Sequence, residues 1–407
     1  MFFRTLLLIA SAVGILSPSL FARVLQVPAT YPSIQGAINV SIAGDTVIVS
    51  PGIYFENIDF RGKSIMVASQ FLLTANPAII NQTIIDGSQP GDSDSGSVVR
   101  FISQEDTLAA LVGFTIRNGV GTLIPGSFAG GGILVSNSSG PKIRYNIIRN
   151  NSALVGAGIA VRSSYPTIEH NAFTQNASRD GGGLWLQGSW IRVNHNVIHA
   201  NIAERNGGAI CIQNSYGLFT NNSITNNSSP ICGGIFCSGG LWEISNSNFY
   251  QNQVANFIGC GDATLGDNSK SRNYNLDSAD IFDNILVNPQ YADAAAFDFQ
   301  IRCDSRLVDA GTDLPKTYPL GGSREDIGMF EYQYRVGDPT LDGKVNIADA
   351  AALVNAIFLG TPLECPTYVY DCDCSRRVNV SDLVALINFW AGFSSVPSCL
   401  FTPAPID

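Results

Sequence analysis

Gly131-Gly-Ile-Leu-Val135, Ala157-Gly-Ile-Ala-Val161, Gly182-Gly-Leu-Trp-Leu186, Gly208-Ala-Ile-Cys-Ile212 and Gly233-Gly-Ile-Phe-Cys237 are five versions of one phrase. Their anchors Ile133, Ile159, Leu184, Ile210 and Ile235 advance by 26, 25, 26 and 25 residues. A second row, Ile143, Ile168, Val193, Phe219 and Ile244, advances by 25, 25, 26 and 25. A third, Ile148, Phe173, Ile198, Ile224 and Phe249, keeps the same step. Each repeat thus carries three short β-favouring segments, and none of them can bury a face alone. Coiling the chain so that like positions stack about 4.8 Å apart gives parallel sheets around one continuous core. The expected fold is mainly β, a right-handed parallel β-helix solenoid. Helical solenoids are excluded because sustained 3.6-residue periodicity is missing, and a propeller needs about forty residues per blade.

The asparagines keep the same register. Asn146, Asn171, Asn196 and Asn222 form one row with Ser247 next, and Asn151, Asn176, Asn201, Asn227 and Asn252 form another. Asparagine tolerates left-handed backbone at tight turns, and stacked amides bond to the coils above and below. Glycosylation of Asn176 or Asn227 competes with this reading, but a buried ladder position cannot carry a glycan. Charges also repeat: Arg144 precedes Glu169, Arg179 precedes Glu204, and Asp180 precedes Arg205, each by 25. Opposite signs on adjacent coils are expected to pair.

Of the 407 residues 14% are charged, 45% hydrophobic and 10% aromatic, with a formal net charge of −10. The acidic balance argues against a nucleic-acid partner, and the apolar content against disorder. Residues 1–22 read as a signal peptide, with Arg4 ahead of the apolar run Leu6–Leu16. That run is too short to span a bilayer, which needs about twenty residues, and no later stretch reaches that length. The expected product is secreted, extracellular or at the cell surface. Nine cysteines suit an oxidising compartment. Cys365, Cys372, Cys374 and Cys399 allow three pairings, and the five in the middle leave at least one without a partner among themselves.

Tyr31-Pro-Ser-Ile-Gln-Gly-Ala-Ile38, Gly44-Asp-Thr-Val-Ile-Val49 and Pro51-Gly-Ile-Tyr-Phe-Glu-Asn-Ile58 resemble the N-terminal part of secreted pectin-lyase-fold proteins, pectin methylesterases included. Ser33 is placed to cap a short helix whose Ile34, Ala37 and Ile38 share a face and plug the open end of the coil. Asp298-Phe-Gln-Ile301, Leu307-Val-Asp-Ala-Gly311 and Asp326-Ile-Gly-Met-Phe-Glu-Tyr332 look like the closing segment of bacterial β-helix proteins.

Asp338-Pro-Thr-Leu-Asp-Gly-Lys-Val-Asn-Ile-Ala-Asp349 and, 33 residues on, Asp371-Cys-Asp-Cys-Ser-Arg-Arg-Val-Asn-Val-Ser-Asp382 are two EF-hand-like loops. Hard oxygen ligands fall at Asp338, Thr340, Asp342 and Asp349, with the Lys344 carbonyl and a water on Asn346. The second loop offers Asp371, Asp373, Ser375 and Asp382, with Arg377 and Asn379 in the equivalent supporting positions, but Arg376 stands where glycine is usual. Apolar helices are expected at Ala350–Leu359 and Leu383–Trp390. The pair resembles a type I dockerin, the calcium module that plugs secreted enzymes into cohesin-bearing scaffolds. That resemblance implies Ca2+ as cofactor, a cohesin partner, and Ile347, Ala348, Val380 and Ser381 as partner-selecting positions. The expected domains are a β-helix over 23–333, a small α-helical dockerin-like module over 334–400, and a tail over 401–407.

No catalytic constellation stands out on the coil. Gln104-Glu-Asp-Thr-Leu108 only superficially resembles an esterase motif. Glu169, His170 and His195 are the candidates for acid–base work, since the two histidines share a register, with Tyr145 one coil earlier; stacked polar turn residues are the alternative. His199 is expected at the surface. Trp185 and Phe236 lie on the outward register, either exposed to stack on sugar rings or covered by the insertion before Gly130. Because dockerin-bearing proteins are mostly polysaccharide-degrading enzymes, the resemblance implies an exported polysaccharide-associated protein, either a glycan lyase or hydrolase. The alternative is a non-catalytic adhesion protein using the coil as a rigid binding rod.

Overall fold

The computed structural model describes residues 22–302, 304–312, 324–332, 337–340, 345–361, 367–373, 375 and 377–391. The segment 1–21, the junction 333–336, the ligand positions Asp342 and Lys344, Arg376, and Cys303, Cys365, Cys374 and Cys399 lie outside the described residues.

The chain coils into a parallel β-helix. Ile133, Ile159, Leu184, Ile210 and Ile235 are successive partners across parallel strands. So are Ile143, Ile168, Val193, Phe219 and Ile244, and the row from Ile148 to Phe249. All three rows point inward and are almost completely buried in one continuous core. The strands collect into a fifteen-stranded, an eight-stranded and a six-stranded sheet. Each coil is short because the chain must turn three times per 25 or 26 residues. Gly181, with φ of +68°, occupies left-handed space at one such turn. A Cβ on Gly158 would stand 2.4 Å from the carbonyl oxygen of Gly183 in the next coil.

The turns are held by amide ladders. Asn171 takes its own N–H to Asn196 Oδ1 at 2.9 Å, and its side-chain nitrogen donates to the Ile143 carbonyl at 2.8 Å. The ladder continues through Asn196 and Asn222 to Ser247. The second ladder runs from Asn151 through Asn176, Asn201 and Asn227 to Asn252. Asn176 and Asn227 are fully buried, so neither accepts a glycan in the folded chain. The residues just before the first ladder, Tyr145, His170 and His195, all have φ near +55°. A third ladder, of serine hydroxyls at Ser164, Ser189 and Ser215, escaped the sequence reading; each accepts the N–H of the serine one coil earlier, at 3.2 Å.

The helix Ile34–Val40 closes the N-terminal end. Ser33 Oγ accepts from the Gly36 N–H, and the two oxygens of Glu56 accept from the N–H groups of Ile34 and Gln35, both at 2.8 Å. Two donors that a helix start leaves unpaired are thereby satisfied. Glu105, within the superficially esterase-like segment, is buried and ties Gly62, Ser103 and Ser139 together, a loop-organising role.

Two expected charge pairs form. Arg144 Nε approaches Glu169 Oε1 to 2.5 Å, a charge contact rather than an aligned hydrogen bond. Arg205 meets the buried Asp180 at 2.6 Å. Arg179 turns to Asp180, 3.2 Å away, instead of Glu204, because a buried carboxylate draws both neighbouring cations.

Trp185 is not on the surface. It is 5% exposed, packed with Leu134, Ala160 and Cys211 and with Ala129 of the insertion hairpin formed by Gly121–Ile124 and Ser127–Ala129; Phe236 is half-buried against the same cluster. The hairpin covers this outward face, which decides between the two readings of those aromatics. His199 is also half-buried, edge-on to Tyr291 at 5.8 Å, because the antiparallel strands Tyr291–Asp293 and Asp298–Ile301 fold back over it. Cys237 and Cys260 are disulfide-bonded, and Cys211, Cys232 and Cys372 are buried free thiols.

Helices occupy Ile347–Leu359 and Val380–Trp390, each starting one turn earlier than expected because Asn346 and Asn379 form capping boxes with Asp349 and Asp382. Leu353 and Leu386 are buried in one cluster with Leu307, Val308 and Ile327 of the closing segment. No helix among the described residues is long and apolar enough to cross a membrane.

Candidate functional site

Tyr145, His170 and His195 stack up the coil, with ring centroids 4.8 and 4.7 Å apart. The register brings the two candidate histidines together, but the closing segment covers them. His170 Nδ1 donates to the Met329 carbonyl at 3.0 Å. His195 Nε2 lies 3.1 Å from Glu325 Oε2 and 2.9 Å from the Asn221 amide. Burial, then the neighbouring His195, push the His170 pKa down to about 4. Burial is the largest influence on Glu325 and works to raise it, but the hydrogen bond and charge of His195, the Thr312 hydroxyl and the field of His170 together hold the carboxyl below its usual range. Glu169 is engaged by Arg144, outside the His170–Glu325 cluster. The stack therefore fastens a lid of chain to the coil and presents no open acid–base pair to a substrate.

Two clefts open on the outer surface. One, about 470 Å³, lies between the insertion hairpin and the coil, lined by Leu123, Ile124, Leu134 and Arg162 among others; no carboxylate lines it. The other, about 590 Å³, is bounded by Trp190, Tyr216, Leu241 and Trp242, with Glu243 its one carboxylate. Trp190, Tyr216 and Leu241 are direct partners on neighbouring strands. Tyr165 stands one coil before Trp190, 25 residues back. The sequence reading missed this outward row, although the 25–26-residue step that located the core also marks it.

The second C-terminal loop converges. Asp371, Asp373 and Asp382 offer carboxylate oxygens all within 4.8 Å of one another. The Ser375 N–H donates to Asp371 and Asp373, at 2.9 and 3.0 Å, and its hydroxyl lies 3.3 Å from the Arg377 carbonyl. Asp382 also accepts from the Asp373 N–H and the Asn379 N–H. Burial, and against two backbone hydrogen bonds the Asp373 charge, raise the Asp382 carboxyl above its usual value. Three crowded carboxylates are a hard-oxygen donor set that fits a divalent cation such as Ca2+.

In the first loop, Thr340 reaches Asp349 through both its N–H and its hydroxyl, at 3.1 and 2.6 Å, and Asp338 is buried beside them. Asn346 and Asn379 spend their side-chain oxygens on capping, accepting from Ala348 and Ser381. Ile347, Ala348, Val380 and Ser381 are all exposed at the first turns of the two helices.

No curated protein matches the chain. Among solved structures, the crystal structure of pectate lyase Pel9A superposes over 76% of this chain and 96% of its own, with 14% identity and a TM-score of 0.33. The family described as the right handed beta helix region matches residues 39–254 and 131–287, a span that contains the stacked rows and both asparagine ladders. By that match and by its coils, the chain belongs to the right-handed β-helix family.

Proposed function

We propose that this chain is an exported, polysaccharide-associated β-helix held on a cohesin-bearing scaffold by a calcium-dependent C-terminal module. The observation that carries the reading is the convergence of Asp371, Asp373 and Asp382, positions 1, 3 and 12 of a twelve-residue loop, directly ahead of a capped helix. The paired Asp338–Asp349 loop 33 residues earlier, with Thr340 already turned to Asp349, supports it. Calcium, when bound, supplies the charge that neutralises these carboxylates. The chain's own residues hold the loop closed and start each helix, which keeps Ile347, Ala348, Val380 and Ser381 exposed for a partner. The glycan half of the reading rests on the dockerin resemblance, since bearers of that module mostly degrade polysaccharides.

Two arms test it. Calorimetric titration of the full chain with CaCl2, followed by capture on immobilised type I cohesins with and without chelator, tests the module; no calcium heat and no calcium-dependent capture on any cohesin would sink it. Incubation with pectins, alginates and xylans, read as new unsaturated or reducing ends, tests lyase or hydrolase activity. A second reading, a binding rod that cuts nothing, is favoured by the closed histidine stack and by the scarcity of carboxylates in both clefts. Binding without new chain ends across the panel selects it.

A further inference from the structure

We propose that the outward row Tyr165, Trp190 and Tyr216, with Lys142 and Arg192 beside it, is a binding strip for an anionic polysaccharide chain lying along the coil axis. The proposal rests on the polysaccharide-associated reading above and gives it a site.

The row is built by the repeat. Trp190 pairs with Tyr216, and two residues further along the strands Thr167 pairs with Arg192, which sets Tyr165 one strand before Trp190. Neighbouring strands are about 4.8 Å apart, so the three rings cover roughly 10 Å of the axis. They are 47%, 51% and 53% exposed. Trp185, five residues before Trp190, is buried under the hairpin; nothing among the described residues does the same for this row.

Their faces are not used up by the protein. Tyr165, Trp190 and Tyr216 make no ring–ring contact with one another, although Tyr145, His170 and His195 at the same coil spacing stack tightly. The two hydroxyls and the indole N–H make no hydrogen bond among the described residues. The Tyr165 ring lies against the backbone of Gly140: a Cβ there would stand 2.2 Å from it, so the ring is seated without being enclosed. Amphipathic rings with open faces and free polar tips suit pyranose rings, which offer C–H groups to an aromatic face and hydroxyls to its edge.

The flank selects charge. Residues two apart on a strand share a face, so Arg192 stands beside Trp190 and Lys142 beside Gly140. Neither cation makes an ion pair or a side-chain hydrogen bond among the described residues, whereas Arg144, one row further on, is taken by Glu169. Two unengaged cations beside an aromatic row, on a chain of net charge −10, complement a ligand with carboxylate or sulfate groups. The cation row ends at Leu218, the partner of Arg192, and the ring row at Leu241, the partner of Tyr216, with Glu243 beside it. A protein partner would need a broader apolar patch than a strip one ring wide.

The experiment is binding of the calcium-loaded full chain to polygalacturonate, alginate and neutral xylan, for wild type, Trp190→Ala, Trp190→Ala/Tyr216→Ala and Arg192→Ala, each with an unfolding scan. Expected are preference for the acidic polymers, a loss of about tenfold in Trp190→Ala and about a hundredfold in the double variant, and a reduced salt dependence in Arg192→Ala, all with unchanged melting. Wild-type binding that survives the double variant overturns the strip and leaves the polysaccharide reading standing. Equal binding of xylan, untouched by Arg192→Ala, overturns the anionic preference. Silence of the wild type on every polymer overturns the polysaccharide reading and the strip with it.

Discussion

His170 and His195, 25 residues apart in the chain, stack with ring centroids 4.7 Å apart, and both are capped by residues more than 100 positions downstream. The same closing segment carries Asp326 and Glu331, whose carboxyls lie in each other's field. The Asp326 N–H donates to Glu331 at 3.1 Å. Burial, then the Glu331 charge, raise Asp326 well above its usual value; burial lifts Glu331 to about 7.

These groups give the closing segment opposite pH slopes. His170 takes its proton near pH 4 when folded and near 6.5 when unfolded, so stability falls as pH drops through that window. Glu331 keeps its proton to about 7 when folded and loses it near 4.5 when unfolded, so stability falls as pH rises through that window. Glu331→Gln is expected to gain melting temperature relative to wild type between pH 4.5 and 7.5. Parallel pH–Tm curves for the two proteins would refute the assignment.

Asn196→Ala is expected to destabilise the coil by about 3 kcal/mol. It leaves the Asn171 N–H and the Ile168 carbonyl without their 2.9 Å partners in a dry interior. Denaturant titration measures the change, and a cost under about 1 kcal/mol would mean that the ladder is ornamental.

Trp185→Ala is expected to cost about 3 kcal/mol by leaving a cavity under the insertion hairpin, and to leave polysaccharide affinity unchanged. The outcome opposite to this, full stability with weakened binding, would return Trp185 to the surface role considered for it.

Asp373→Asn separates metal binding from helix capping. Asp373 is exposed and outside the Asn379–Asp382 capping box, so helix content without calcium should match wild type. Calcium affinity of the second loop should fall by about tenfold or more, equivalent to about 1.4 kcal/mol. Calorimetry on the full chain reads the affinity and circular dichroism the helix.

Glu56→Ala is expected to lower stability by about 1 to 2 kcal/mol through the loss of two N-terminal hydrogen bonds on the plugging helix. Thermal unfolding that starts at the N-terminal coils, followed by hydrogen exchange, is the corresponding signature.

The coil was legible in the residues because a solenoid is a nearest-neighbour structure. Ile143 meets Ile168 and Ile168 meets Val193 through a fixed step, so spacing alone determines register, core, asparagine ladders and the Asp180–Arg205 pair. The two C-terminal helices were legible from their apolar runs, but their starts were not, because Asn346 and Asn379, read as loop positions, cap the helices and extend each by three residues. What covers the outside obeys no repeat. The hairpin that hides Trp185, the strands over His199 and the segment that seals His170 and His195 come from elsewhere in the chain. Only the tertiary structure decided which of two equally spaced aromatic rows, the one holding Trp185 or the one holding Trp190, faces solvent.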